Sequence, residues 1–180
     1  MKLFFMSDIH GSLSCLNQAL AAYEREQADA LVILGDLMYH GPRNPLPEEY
    51  RPKEVAERLN AYKERIVAVR GNCDSEVDQM LIEFPMLAEY AMLFIEGRRI
   101  FATHGHHRHI DDLPALAAGD LFIQGHTHVP VAEKRGDIIV LNPGSVSLPK
   151  ENFPRSYGLL AAGCFQVKDF GGNIVKEIAW

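Results

Sequence analysis

The sequence predicts an α/β domain in which two sheets pack together with helices outside. Up to residue 69, short apolar runs alternate with stretches of helical spacing in the order strand, helix, strand, helix, strand. That order implies parallel pairing through right-handed crossovers. From residue 92 onward the chain becomes a succession of short strand-like runs separated by turn residues. A third observation bears on function. Five predicted strands end on a glycine coupled to a histidine, aspartate or asparagine.

Residues 3–6 form the first predicted strand, running into Ser7-Asp8-Ile9-His10-Gly11. Leu13, Leu16, Leu20 and Tyr23 then recur at helical spacing, with Ser12 as N-cap. Residues 30–34 are an uninterrupted apolar run, as in a strand covered on both faces, and the run stops at Gly35-Asp36. Residues 39–52 carry prolines at 42, 45, 47 and 52, which predicts a stiff surface loop. Val55, Leu59 and Tyr62 mark a second helix, and residues 66–69 a third strand that ends in Arg70-Gly71-Asn72-Cys73-Asp74. Residues 92–96 and 99–103 flank Gly97 as a hairpin. Further strands are expected over 121–124, 129–134, 138–141, 157–165 and 174–180, with turns at Arg135-Gly136-Asp137 and Gly171-Gly172-Asn173. Met80, Leu81 and Phe84 read as core or subunit contact. No repeat or linker interrupts the chain, so residues 1–180 are expected to form one domain.

The formal charge of −6, from 18 basic and 24 acidic residues, opposes extended binding to nucleic acid or to anionic membranes. Small phosphate substrates stay open, because a metal centre supplies its own positive charge. Cys15, Cys73 and Cys164 form no CxxC pair, which suits a reducing compartment and excludes a cysteine-framed zinc site. The apolar start is too short for a signal peptide, and no run approaches membrane-spanning length. A soluble, cytoplasmic protein is expected.

The five strand ends are Asp8-Ile9-His10-Gly11, Gly35-Asp36, Gly71-Asn72-Cys73-Asp74, His104-Gly105 and Gly125-His126-Thr127-His128. Aspartate at the end of a buried strand needs a partner, and glycine lets backbone approach a ligand cluster. The spacing of two in Asp8/His10 and His126/His128 predicts, for extended backbone, that both members of each pair point the same way. Imidazoles, carboxylates and one amide without thiolate suit manganese, iron, cobalt or zinc. Seven side chains exceed the needs of one ion but serve two if a carboxylate bridges. Two such ions can hold a hydroxide and clamp a phosphoryl group for in-line attack. No serine or cysteine nucleophile is then required.

The order Asp-x-His, Gly-Asp, Gly-Asn-x-Asp, His, Gly-His-x-His resembles the calcineurin-like metallophosphoesterases. Ser7-Asp8-Ile9-His10-Gly11, and Gly125-His126-Thr127-His128 followed by Asn142-Pro143-Gly144-Ser145, look most like the small YfcE-type bacterial phosphodiesterases. The resemblance implies a four-layer α/β/β/α sandwich of two mixed sheets flanked by helices. It implies two divalent ions per chain, manganese in this branch. One ion would be held by Asp8, His10, Asp36 and His128, the other by Asp36, Asn72, His104 and His126. The implied activity is hydrolysis of a small phosphodiester. The alternatives are a phosphomonoesterase or nucleotide phosphatase on the same site, or a weakly active interaction scaffold like the retromer subunit that shares the fold. A homo-oligomer is allowed but not demanded.

One departure from the family pattern stands at Cys73, where most members carry histidine; Asp74 is retained. A thiol near its reference pKa of about 8.5 can donate a proton but cannot supply imidazolium charge. Modest activity biased towards good leaving groups is therefore expected. Cys73 and Asp74 are catalytic candidates, with His106 as a stand-in acid; the competing reading of Cys73 is a half-buried filler. His40 and Arg43 follow Asp36 in the proline-rich loop, where loops commonly shape substrate entry.

Overall fold

The computed structural model describes residues 1–180. Its first half forms β1 (Leu3–Met6), α1 (Leu13–Glu26), β2 (Ala30–Ile33), α2 (Pro52–Asn60) and β3 (Ile66–Ala68), and the three strands pair in parallel. Side-chain alternation explains why these strands are apolar throughout. Phe4, Met6, Leu31 and Ile33 enter the core beneath α1 and α2, whereas Leu3, Phe5 and Val32 enter the core between the two sheets. Ser12 occupies the N-cap of α1, but its hydroxyl donates to the Glu48 carbonyl at 2.6 Å and not to a capping bond. The helix start is thereby tied to the proline-rich loop. Pro52 opens α2, where its missing N–H has no partner to lose. A short helix not anticipated from periodicity, α3 (Glu76–Gln79), is held by a capping box between Ser75 and Asp78.

The second half forms β4 (Tyr90–Ile95), β5 (Arg98–Thr103), β6 (Leu121–Ile123), β7 (Val131–Arg135) and β8 (Ile138–Asn142). It continues with β9 (Ser156–Ala161), β10 (Cys164–Asp169) and β11 (Ile174–Ala179). The six-stranded sheet has the order β11-β10-β9-β1-β2-β3 and the five-stranded sheet β4-β5-β6-β8-β7. The expected single strand over 157–165 is in fact two. Ala162 and Gly163 both adopt positive φ (49° and 71°), which makes a two-residue hairpin turn between β9 and β10. Two mixed sheets are thus packed together, with α1 and α2 over the six-stranded sheet. The parallel crossover from β5 to β6, residues 104–120, contains no helix. It is tied down by the Arg99–Asp120 pair and by the Ile110 N–H, which donates to the Gln124 side chain at 2.8 Å.

One polar cluster anchors α1 to the C-terminal hairpin. Glu26 Oε1 accepts from the Tyr157 hydroxyl at 2.7 Å and from Lys168 Nζ at 3.0 Å, with Glu26 and Lys168 only 14% and 15% exposed. Burial raises the Glu26 pKa, but Tyr157 and Lys168 outweigh it and hold the carboxyl below its ordinary 4.5. A depressed carboxylate stabilises the fold above its unfolded-state pKa, and the contribution is lost as pH falls through the folded value. Glu26→Gln is expected to cost about 1.5–3 kcal/mol at pH 7, as for hydrogen bonds to a charged group. Thermal melts should show the gap from wild type closing as pH drops below 4.5. A gap that stays constant down to pH 3 would refute the assignment.

Candidate metal centre

The parallel strands β1, β2 and β3 of one sheet and β5 and β6 of the other end at the same edge of the sandwich. The residues just past those ends converge there, as loops at strand carboxyl ends do in α/β sheets. Asp8, His10, Asp36, His126 and His128 all adopt left-handed backbone, with φ of 58°, 50°, 55°, 63° and 62°. The expectation of extended backbone in the Asp-x-His and His-x-His pairs is therefore wrong. The pairs lie beyond the strand ends, and each member sits in a conformation costing about 1–2 kcal/mol for a non-glycine residue. Strain of this kind concentrates at functional sites.

Two groups of side chains meet around Asp36. In the first, His128 Nε2 lies 3.2 Å from Asp8 Oδ1, and His10 Nε2 lies 3.7 Å from both Asp8 Oδ1 and Asp36 Oδ2. In the second, His104 Nε2 lies 3.5 Å from the same Asp36 Oδ2, 3.0 Å from Asn72 Oδ1 and 3.2 Å from His126 Nδ1. Asp36 Oδ2 thus stands between the groups, while Oδ1 accepts from the Cys73 N–H at 2.8 Å. Asp8, His10 and His104 are fully buried at the floor; Asn72 is at the rim.

The outer ring nitrogens decide the chemistry of the inner ones. His10 Nδ1 donates to the Tyr39 carbonyl at 2.9 Å, His104 Nδ1 to Leu34 at 2.6 Å and His128 Nδ1 to Leu148 at 2.5 Å. Carbonyls only accept, so each neutral ring turns an unprotonated Nε2 inward. His10 and His128 then face each other lone pair to lone pair at 3.3 Å. Beside them Asp8 Oδ1 is buried without a hydrogen bond. Facing acceptors in a buried anionic site call for cations, and a nitrogen/oxygen donor set of this kind fits borderline divalent ions.

Electrostatics follow from the same packing. Burial opposes charge on His104, yet Asp36, Asp8 and the Leu34 carbonyl raise its pKa to about 9, so its Nε2 would turn a lone pair inward only when a cation displaces the proton. Burial would raise Asp8, but His128, His104 and His10 hold it far below the carboxylate range. Burial, reinforced by Asp36 and Asp74, pushes the Cys73 thiol up to about 12. Cys73 is half-buried on the cavity wall, and the carboxylates around it disfavour a thiolate. His106 is lowered to about 4 by burial and by neighbouring His104. Its ring packs on His107, 3.9 Å between centroids, and 5.4 Å from His104. It does not line the cavity.

Asp74 is a correction. It does not face the cavity; one oxygen accepts from the Asp36 and Gly71 N–H groups at 2.8 and 2.7 Å, the other from Leu37 N–H at 2.9 Å. It is a positioning residue that ties the loop after β2 to the loop after β3. Burial and the Asp36 charge raise it to about 6 against those three donors. The two loops touch because both carry glycine. A Cβ on Gly71 would lie 2.1 Å from Asp36 Oδ1, and one on Gly35 2.5 Å from Gly71 N. A similar clamp comes from the segment after β8. Ser145 and Ser147 hydroxyls donate to the Asp8 carbonyl at 3.0 and 2.9 Å, and Asn142 Nδ2 donates to Gly125 at 2.8 Å.

Above the cluster opens a cavity of about 460 Å³. Arg43 and Lys150 bring two cations to its wall, beside Asn44 and Thr127. Sequence reasoning missed Lys150 as a site residue. It follows Pro149 in an unremarkable turn, and only its backbone bond to the His128 carbonyl at 3.3 Å brings it here.

Residues 1–163 match the family model described as the calcineurin-like phosphoesterase superfamily domain. Phosphodiesterase YfcE of Escherichia coli K12 is 55% identical over 160 residues, 89% of this chain and 87% of that protein. A solved structure of E. coli YfcE, described as a phosphoesterase, superposes with a TM-score of 0.98 at 50% identity over 99% of both chains. Phosphodiesterase MJ0936 of Methanocaldococcus jannaschii is 30% identical over 80% of this chain and 83% of its own. Vps29 of Cryptosporidium parvum shares the fold, with a TM-score of 0.64 at 18% identity over 99% of this chain and 98% of its own.

Proposed function

The chain belongs to the calcineurin-like phosphoesterase superfamily, and we propose that it is a phosphodiesterase using two divalent metal ions, manganese in the native protein. Asp8, His10, Asp36 and His128 would hold one ion, and Asp36, Asn72, His104 and His126 the other. The observation that carries the reading is the set of donors gathered around Asp8 and Asp36, with His10, His104 and His128 each fixed from behind by a carbonyl. Divalent ions in that set would polarise a phosphoryl group and bring the pKa of a bound water towards neutrality.

The protein's own contribution is positioning and charge. Asp8, Asp36 and the oriented imidazoles hold their geometry through the outer bonds, so little reorganisation is needed when substrate arrives. Arg43 and Lys150 attract the anionic diester. Cys73, unlike a histidine, brings no imidazolium charge to a leaving group, which favours diesters with acidic leaving groups over alkyl monoesters. No helix is long and apolar enough to cross a membrane, and all three cysteines are free, consistent with the cytoplasmic location we propose.

Two measurements test this. Metal-stripped protein should be inactive and should regain diester hydrolysis on addition of manganese, with lower rates on monoesters. Failure of manganese, iron, cobalt and zinc alike to restore hydrolysis would favour the interaction-scaffold reading, and faster monoester turnover the phosphatase reading. Arg43→Gln and Lys150→Gln should each raise KM about two- to fivefold with little change in kcat, as for exposed charge pairs. The effect should shrink at high salt. An unaltered KM at low salt in both variants would remove these cations from substrate binding.

A further inference from the structure

A second cavity, of about 430 Å³, adjoins the first, and Cys73 lines both. Its character is different. Its walls are mainly Met38, Tyr39, Tyr50, Val77 and Leu81, with Lys53, Ser75 and Asp78 as the polar members; Tyr39, Val77 and Leu81 are exposed to 42%, 68% and 48%. Phe84, by contrast, is buried in the core. These walls are built on the ligand loops. The Tyr39 carbonyl holds His10 Nδ1 at 2.9 Å, and the Tyr50 ring lies where a Cβ on Gly11 would come within 2.6 Å. The His40 ring packs edge-on to both tyrosines, at 5.0 and 5.2 Å between centroids. Val77 is presented by α3, fixed through its capping box. The recess is thus preformed and mainly apolar and aromatic, and Cys73 joins it to the cavity over the ligand cluster.

Resting on the phosphodiesterase reading, we propose that this recess is the subsite for a flat aromatic ester group of the substrate. A phosphodiester carries two ester groups. With its phosphoryl over the ligand cluster, one faces the polar cavity with Arg43 and Lys150, and the other passes Cys73 into the recess. A charged or sugar-like group would lose hydration against these mainly apolar walls, with polar partners only at Lys53, Ser75 and Asp78. A flat ring instead covers exposed Tyr39, Val77 and Leu81 and stacks on a tyrosine face. The substrate class is therefore an asymmetric diester, polar or anionic at one end and aromatic at the other.

The test uses manganese-loaded protein and pairs of methyl phosphodiesters whose leaving groups are matched in acidity, one aryl and one non-aromatic. The readout is the ratio of their kcat/KM values, which is insensitive to overall losses of folding or metal. Wild type should favour the aryl diester, and Tyr39→Ala should cut the ratio about fivefold, in the range of a lost aromatic contact. Val77→Trp, which fills the recess from an exposed helix position, should cut it likewise. An unchanged ratio in both variants overturns the proposal. A nucleoside methyl diester showing the same fall extends the occupant to nucleobases; no fall overturns that source. Should no diester be hydrolysed, calorimetric binding of phenylphosphonate still decides the matter: about fivefold weaker binding to Tyr39→Ala supports the recess, and equal binding overturns it. Sedimentation showing a dimer that Val77→Trp dissolves, with the ratio unchanged, would assign the face to a second copy and reject the subsite.

Discussion

Asp36→Asn should remove both metal ions at once and lower diester turnover by more than the about 10–100-fold typical of residues that merely support a metal ligand. Asp36 Oδ2 is the carboxylate atom common to His10, at 3.7 Å, and His104, at 3.5 Å. The amide keeps the side chain's shape and its bond from the Cys73 N–H, so folding should persist while the negative charge disappears. His128→Ala is the control. His128 lies beside Asp8 and His10 and away from the group of Asn72, His104 and His126. It should chiefly weaken one ion. Metal content measured by mass spectrometry after gel filtration separates the two variants. Two ions bound to Asp36→Asn at wild-type affinity would mean that Asp36 does not bridge.

Asp74→Ala is expected to give the largest loss of stability. It strands the N–H groups of Asp36, Leu37 and Gly71 in a buried site. An unsatisfied buried donor costs about 1–3 kcal/mol, so about 3 kcal/mol is a lower estimate for three. For a chain of this size that corresponds to a fall in Tm of about 6–12 °C. Because the loops bearing Asp36 and Asn72 are no longer tied together, turnover at a permissive temperature should also drop about 10–100-fold. A Tm within about 2 °C of wild type would show that the carboxylate is not the tie between the loops.

Much of the fold was legible because the relevant signals are local. The uninterrupted apolar runs at β1 and β2 announce strands buried on both faces, and Gly97 announces a hairpin. Where local signals were ambiguous, the reading failed. Ala162-Gly163 lies inside an apolar run, and only antiparallel pairing between β9 and β10 reveals it as a turn. The α3 helix carries its Ser75/Asp78 cap in the sequence, but four residues show no apolar periodicity.

The sequence by itself determined the chemistry of the centre: three strand-end glycine signatures with carboxylates or an amide, three with imidazoles (the Asp8/His10 signature has both), and no thiolate among the candidate ligands. Residue identity and placement after a strand are properties of short segments. Only the tertiary structure decided how those residues are used. Asp74 is separated from Asp36 by 38 positions and from Leu37 by 37, and nothing local shows that its oxygens meet their amides. Lys150 is held at the cavity through the His128 carbonyl, and Tyr39 at the neighbouring recess through His10. The left-handed conformations of Asp8, His10, Asp36, His126 and His128 likewise cost energy in an isolated strand end. They persist because buried contacts between distant loops over-determine them, and contacts of that kind exist only once both sheets have closed on their common core.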